Sequence, residues 1–238
     1  MNVPRYAIYL APPAQSALWR FGSAVIGYDA ETGLDAGPPP LKRFAPAAWR
    51  EATAEPRRYG FHGTLKAPFR LAEGRDEAGL RAAARDFAAQ RARFACAGMQ
   101  VVSIGRFIAL KPVHACAALD RLAAGAVEAF EPFRAPPTAQ ELERRRRAPL
   151  SERQKDHLSR WGYPYVMEDF RFHMTLTGPM DDEPRRQAEA ELAEIFTASP
   201  ADGPLIVSEI ALYRQQDGGS FRLIERLPLG TATIEGGR

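Results

Sequence analysis

The sequence predicts an α+β fold of two pseudo-symmetric lobes. Each lobe is expected to be an antiparallel sheet with helices outside, and a histidine-bearing strand of each is expected to face the other across a central cleft. An internal echo is the first support. Tyr59-Gly60-Phe61-His62-Gly63-Thr64-Leu65-Lys66 and Phe170-Arg171-Phe172-His173-Met174-Thr175-Leu176-Thr177 both read Phe-His-x-Thr-Leu-x-x-Pro, ending at Pro68 and Pro179. The second is that strand, helix and strand signals surround each copy in the same order.

Taken in order, residues 5–11 alternate as a strand, and Pro13 suits a first helical position. Ala14, Leu18, Phe21 and Val25 then form the apolar stripe of a helix up to about Gly27. Residues 28–56 contain Gly-Pro-Pro-Pro and little periodicity, which predicts a long loop. Beyond the first motif, Leu80, Ala84 and Phe87 mark a helix over about 76–91. Residues 99–111 read as one strand closed by Pro112, and Leu119, Leu122, Ala126 and Phe130 as a helix ending before Pro132. Residues 135–162 become polar and helical and predict an insertion between the halves. After the second motif, Pro184 and the run Ala188, Leu192, Ile195 and Phe196 predict a helix, and residues 204–215 and 221–228 a hairpin across Asp217-Gly218-Gly219. The expected organisation is a single bilobal domain over residues 1–238, with motifs near 57–71 and 169–180.

Strand parity decides what each motif presents. Residues two apart share a face. Phe61, Gly63 and Leu65 thus point one way and His62, Thr64 and Lys66 the other. In the second copy Phe172, Met174 and Leu176 point inward while Arg171, His173, Thr175 and Thr177 project together. Each strand offers an imidazole, a hydroxyl and a nearby cation.

That set suits phosphoester chemistry. Opening a cyclic phosphodiester needs a base to take a proton from water and an acid to protonate the departing alkoxide, on opposite sides of phosphorus. Histidine serves either role near neutrality. Thr64 and Thr175 are candidates to donate to the non-bridging oxygens, and Lys66 and Arg171 to offset their charge. The two motifs are alike, so the sequence does not say which histidine is acid and which base. Tyr59, Tyr163 and Tyr165 adjoin the motifs and either stack on a base or sugar or pack as core.

Two His-x-Thr strands half a chain apart resemble the two-histidine (2H) phosphoesterase superfamily. The wider wording, Arg5-Tyr6-Ala7-Ile8-Tyr9, Tyr59-Gly60-Phe61-His62 and Tyr163-Pro164-Tyr165 ahead of Arg171-Phe172-His173, is similar to its branch of phosphonate-metabolism proteins. The resemblance covers nearly the whole chain and implies the bilobal fold already expected. The expected function is metal-independent hydrolysis of a cyclic phosphodiester of a nucleotide or small sugar phosphate, without a cofactor. A non-catalytic module binding a nucleotide or RNA end in the same cleft is the alternative.

Composition bounds the rest. A chain of 238 residues with 45% hydrophobic content can bury a substantial core. With 32 basic against 29 acidic residues, no extended nucleic-acid footprint is expected. No stretch could span a bilayer and no signal sequence is legible, so a cytoplasmic protein is expected, with Cys96 and Cys116 as reduced thiols. The Arg144-Arg145-Arg146-Arg147 run either grips phosphates or forms a solvated helix face with Glu141 and Glu143. Asp181-Asp182-Glu183 is explained by helix capping, His114 and His157 as structural or exposed, and a zinc site at His62 and His173 lacks a third ligand.

Overall fold

The computed structural model describes residues 3–37, 39, 41–146 and 149–231. Its strands are β1 (Arg5–Leu10), β2 (Gly63–Phe69), β3 (Phe94–Cys96), β4 (Met99–Ile104), β5 (Phe107–Pro112), β6 (Met174–Thr175), β7 (Leu205–Val207), β8 (Glu209–Gln215) and β9 (Phe221–Pro228). Its helices are α1 (Ala17–Ile26), α2 (Pro46–Ala52), α3 (Ala54–Arg57), α4 (Glu77–Ala89), α5 (Ala117–Ala129), α6 (Ala139–Arg146), α7 (Glu152–Trp161) and α8 (Asp182–Thr197).

Seven strands make one antiparallel sheet in the order β4-β5-β6-β2-β1-β8-β9, and β3 pairs separately with β7. The order carries an internal twofold pattern. The first half runs β1-α1-β2-α4-β4 and the second β5-α5-β6-α8-β8, and the third strand of each pairs with the first strand of the other. The helices repeat it: Phe21 of α1 meets Phe196 of α8 with ring centroids 5.1 Å apart, and Phe87 of α4 meets Phe130 after α5 at 5.1 Å. Helix α5 packs on β2, α8 on β4 and α4 on β9. Their buried Leu80, Leu119, Leu122 and Leu192 each contribute about 1.5–3 kcal/mol of apolar burial.

The antiparallel α+β class is as expected, with a difference at its centre. The motif strands β2 and β6 are neighbours in one sheet, paired through Gly63 and Met174, and do not belong to separate sheets. Glycine makes this approach feasible. A Cβ on Gly63 would stand 2.4 Å from Cε2 of Phe172, so that ring fills the space a side chain would need.

Local chemistry explains the boundaries. Ser16 caps α1 by accepting from the Trp19 N–H, and Gly27 ends it at φ 72°. Asp76 caps α4, and Ser151 with Gln154 forms a capping box on α7. Helices α6 and α7 occupy the expected insertion; Arg147, and the side chains of Arg144, Arg145 and Arg146, lie outside the described residues.

Three expectations change. The 28–56 stretch holds α2, opened by Pro46 and anchored by Trp49, whose indole donates to the Val25 carbonyl at 2.8 Å. Trp49 is the only buried residue of α2, so its periodicity was too sparse to register. The strand over 99–111 is a hairpin, because Gly105 adopts φ 58° and turns the chain. Cys96 and Cys116 are a disulfide with Cα atoms 5.9 Å apart and are not free thiols. The fold brings the end of β3 to the start of α5, a proximity that a spacing of 20 residues did not reveal. Among the described residues no helix is long and apolar enough to cross a membrane.

Candidate active site

His62 and His173 line one cleft of about 420 Å³, together with Thr64 and Thr175. Each imidazole is aimed by the same local device. Nδ1 of His62 lies 2.8 Å from the Gly60 carbonyl, and Nδ1 of His173 lies 2.8 Å from the Arg171 carbonyl. A carbonyl only accepts, so each Nδ1 carries the hydrogen and a neutral ring keeps a bare Nε2 for chemistry. Nε2 of His62 is 3.2 Å from the Thr64 hydroxyl. Gly60 makes the first bond by turning at φ 77°, where a Cβ would come within 2.5 Å of the Ala30 Cβ.

The surroundings of the two rings differ. His62 lies flat on Tyr9, with centroids 3.6 Å apart and planes 18° from parallel, and His173 meets Phe107 at 5.7 Å and 47°. Burial pushes the His62 pKa down to about 4; the bond to Gly60 opposes that fall and the charge on His173 adds to it. At neutral pH His62 is therefore the neutral imidazole.

Tyr59 and Tyr163 also line the cleft, but three candidates do not. Lys66 leaves the face of Thr64 because β2 bulges. Tyr9 pairs with Thr64 and Ile8 with Lys66, so Leu65 is an extra residue that breaks the alternation. The Lys66 ammonium is buried on the helix side, donating to the Val127 carbonyl at 2.9 Å and to Glu131 at 2.5 Å. Burial lowers its pKa and Glu131 opposes that. Arg171 turns back on its own loop, donating to the Glu168 and Phe170 carbonyls at 2.8 and 2.6 Å. Tyr165 is 42% exposed and meets Tyr163 edge-on at 5.7 Å, away from the lining. Replacing Lys66 by Met is expected to keep turnover within about threefold and to shift stability by less than about 2 kcal/mol, since Glu131 retains Arg134 at 2.6 Å. Steady-state assays beside denaturant unfolding check this.

Sequence reasoning missed Tyr9, Arg5 and Phe107 as cleft residues. The first two were within reach, since Arg5, Ala7 and Tyr9 share one face of β1 by alternation. Phe107 follows the Gly105 turn, hidden by reading β4 and β5 as one strand. Thr177 also lines the cleft, but it is buried and its hydroxyl accepts from the Ile108 N–H at 3.0 Å. Among the described residues no three His, Cys, Asp or Glu side chains group as metal ligands.

Two His-x-Thr segments meeting at the centre of an antiparallel α+β fold are the arrangement that the resemblance to the two-histidine phosphoesterases implies. The chain belongs to the family described as "Protein of unknown function (DUF1045)", whose family model matches residues 64–222. It is 38% identical over 224 residues to a Laribacter hongkongensis (strain HLHK9) protein named ribose 1,5-bisphosphate phosphokinase PhnN, covering 92% of this chain and 50% of that one. A Janthinobacterium sp. (strain Marseille) protein of the same name is 36% identical over 236 residues, covering 95% and 51%. The chain thus spans about half the length of the curated relatives it matches. Among solved structures, it is similar to E. coli LigT complexed with 3′-AMP at 16% identity and TM-score 0.47, covering 96% of this chain and 99% of that one. It is similar to LigT complexed with NADP+ at 15% and 0.46, covering 97% and 100%.

Proposed function

We propose that this protein is a metal-independent phosphoesterase that hydrolyses a cyclic phosphodiester of a nucleotide or small sugar phosphate. The observation carrying this reading is the paired presentation of two histidines in one cleft, each held by an Nδ1–carbonyl bond and each accompanied by a threonine of its own motif. His62, held neutral, is the base: its Nε2 takes a proton from the water whose oxygen bonds to phosphorus. His173, protonated, gives its proton to the alkoxide as the P–O ester bond breaks, leaving a phosphomonoester and a free hydroxyl. Thr175 donates to a non-bridging oxygen, and Thr64 does the same once its hydroxyl turns from the His62 Nε2 that the water then occupies.

The curated relatives' name, with its ribose bisphosphate, supports a sugar-phosphate substrate, and the motif resemblance supports a place in phosphonate metabolism. The chain contains no Gly-x-x-x-x-Gly-Lys-Ser/Thr phosphate loop, so phosphokinase activity is not part of this reading. The test is incubation of purified protein with ribonucleoside 2′,3′-cyclic phosphates and ribose cyclic phosphates in buffer containing a chelator. Release of a phosphomonoester is expected. Tight binding without turnover, or turnover that a chelator abolishes and zinc or manganese restores, overturns the proposal.

A further inference from the structure

One arginine lines the cleft among the described residues, and the proposed reaction does not use it. Arg5 stands at the start of β1, four residues from Tyr9, which carries His62. At about 3.3 Å per residue that is roughly 13 Å of strand. The Arg5 backbone is thus anchored at the far end of β1 from Tyr9, and its side chain lines the same cleft as the histidines. Its charge also reaches the Tyr9 phenol, whose pKa burial raises and Arg5 draws back.

Its guanidinium is held in place. Nε donates to Oε1 of Gln215 at 2.8 Å, and Gln215 is itself 4% exposed and donates from Nε2 to the Gly219 carbonyl at 2.6 Å. The guanidinium carbon lies 5.4 Å from the Phe221 ring centroid, and Phe221 stacks on Tyr59 with centroids 5.4 Å apart. Among the described residues no carboxylate pairs with Arg5. Arg81, Arg85, Arg134, Arg153 and Arg226 by contrast all hold one. Glu55, the carboxylate in the lining, lies instead against Gly178, its Oε2 3.8 Å from where a Cβ would sit. An arginine fixed through Nε and one face, with its terminal nitrogens uncommitted, has the geometry for bidentate recognition of a phosphate.

We propose that Arg5 recognises a second anionic group of the substrate, a terminal phosphate monoester carried on the same sugar as the cyclic phosphodiester. This rests on the phosphoesterase reading and narrows its substrate class to sugar or nucleotide cyclic phosphates bearing a further phosphate. The expected contribution is a preference of about 10- to 100-fold in kcat/KM, seen mainly in KM.

The test compares ribose cyclic phosphate with and without a 5-phosphate, on wild type, Arg5→Gln and Arg5→Lys, each checked by thermal melting. Wild type is expected to prefer the 5-phosphorylated compound, Arg5→Gln to bring the ratio near one, and Arg5→Lys to fall between. A wild-type ratio near one, or a ratio unchanged in Arg5→Gln, overturns the proposal. If wild type turns over neither compound nor any ribonucleoside 2′,3′-cyclic phosphate, the hydrolytic reading fails by itself, and the subsite is then measured by calorimetric titration with ribose 5-phosphate. Weaker binding to Arg5→Gln than to wild type sustains the subsite; equal affinity overturns it.

Discussion

Replacing His62 or His173 by alanine is expected to lower turnover of a cyclic phosphodiester by about 10²–10⁴-fold in each case. Each ring offers one nitrogen to the cleft because its other nitrogen is bound to a backbone carbonyl. Loss of either ring removes one of the two proton transfers that a single displacement requires. The double variant should therefore lose less than the product of the single losses. Thr64→Val and Thr175→Val should each cost less, roughly 1.5–3 kcal/mol for a hydrogen bond to a charged group. Packing separates the two histidine variants. His62 is stacked flat on Tyr9, so its loss also loosens the core, whereas His173 makes only a tilted contact with Phe107 at 5.7 Å and its variant should melt close to wild type. Steady-state kcat beside a melting curve measures both. A His173→Ala protein with wild-type specific activity would end the catalytic assignment.

Much of this was legible in the sequence where side-chain alternation survives unbroken. His62 with Thr64 and His173 with Thr175 reach the cleft as the two-residue spacing predicts, although each histidine stands one residue before its strand and is aimed by its Nδ1–carbonyl bond. The alternation fails one residue later. The bulge at Leu65 depends on the pairing of β2 with β1, a partner some 55 residues away in sequence, and it carries Lys66 to the helix side. Arg171 fails for a different reason. The chain before β6 is not strand, so parity does not govern a side chain that can reach its own carbonyls. The helices and their caps were readable from local stripes and end residues, whereas the order of strands was not. The repeated half-chains suggested two separate sheets, but an exchange of third strands joins them into one. The disulfide was hidden likewise, since only tertiary packing brings Cys96 to Cys116.

The second large effect expected is on pH dependence. Burial sets the His62 pKa at about 4, below the 6.5 of a free imidazole. Between those values the unfolded chain binds a proton at this site that the folded protein refuses. Stability is thus full above about pH 6.5 and is lost as pH falls toward 4. At about 1.4 kcal/mol per pH unit the loss is on the order of 3 kcal/mol. His62→Gln removes the group, so the variant should lose about 2–3 kcal/mol less than wild type when denaturant unfolding is compared at pH 7.5 and 4.5. Carboxylates titrating in that range act alike in both proteins and cancel. The same shift places the acid limb of the activity profile near pH 4, since the base stays neutral down to there. Parallel unfolding curves for the two proteins, or an acid limb at pH 6.5, would show that His62 is neither buried enough to resist protonation nor the base of the reaction.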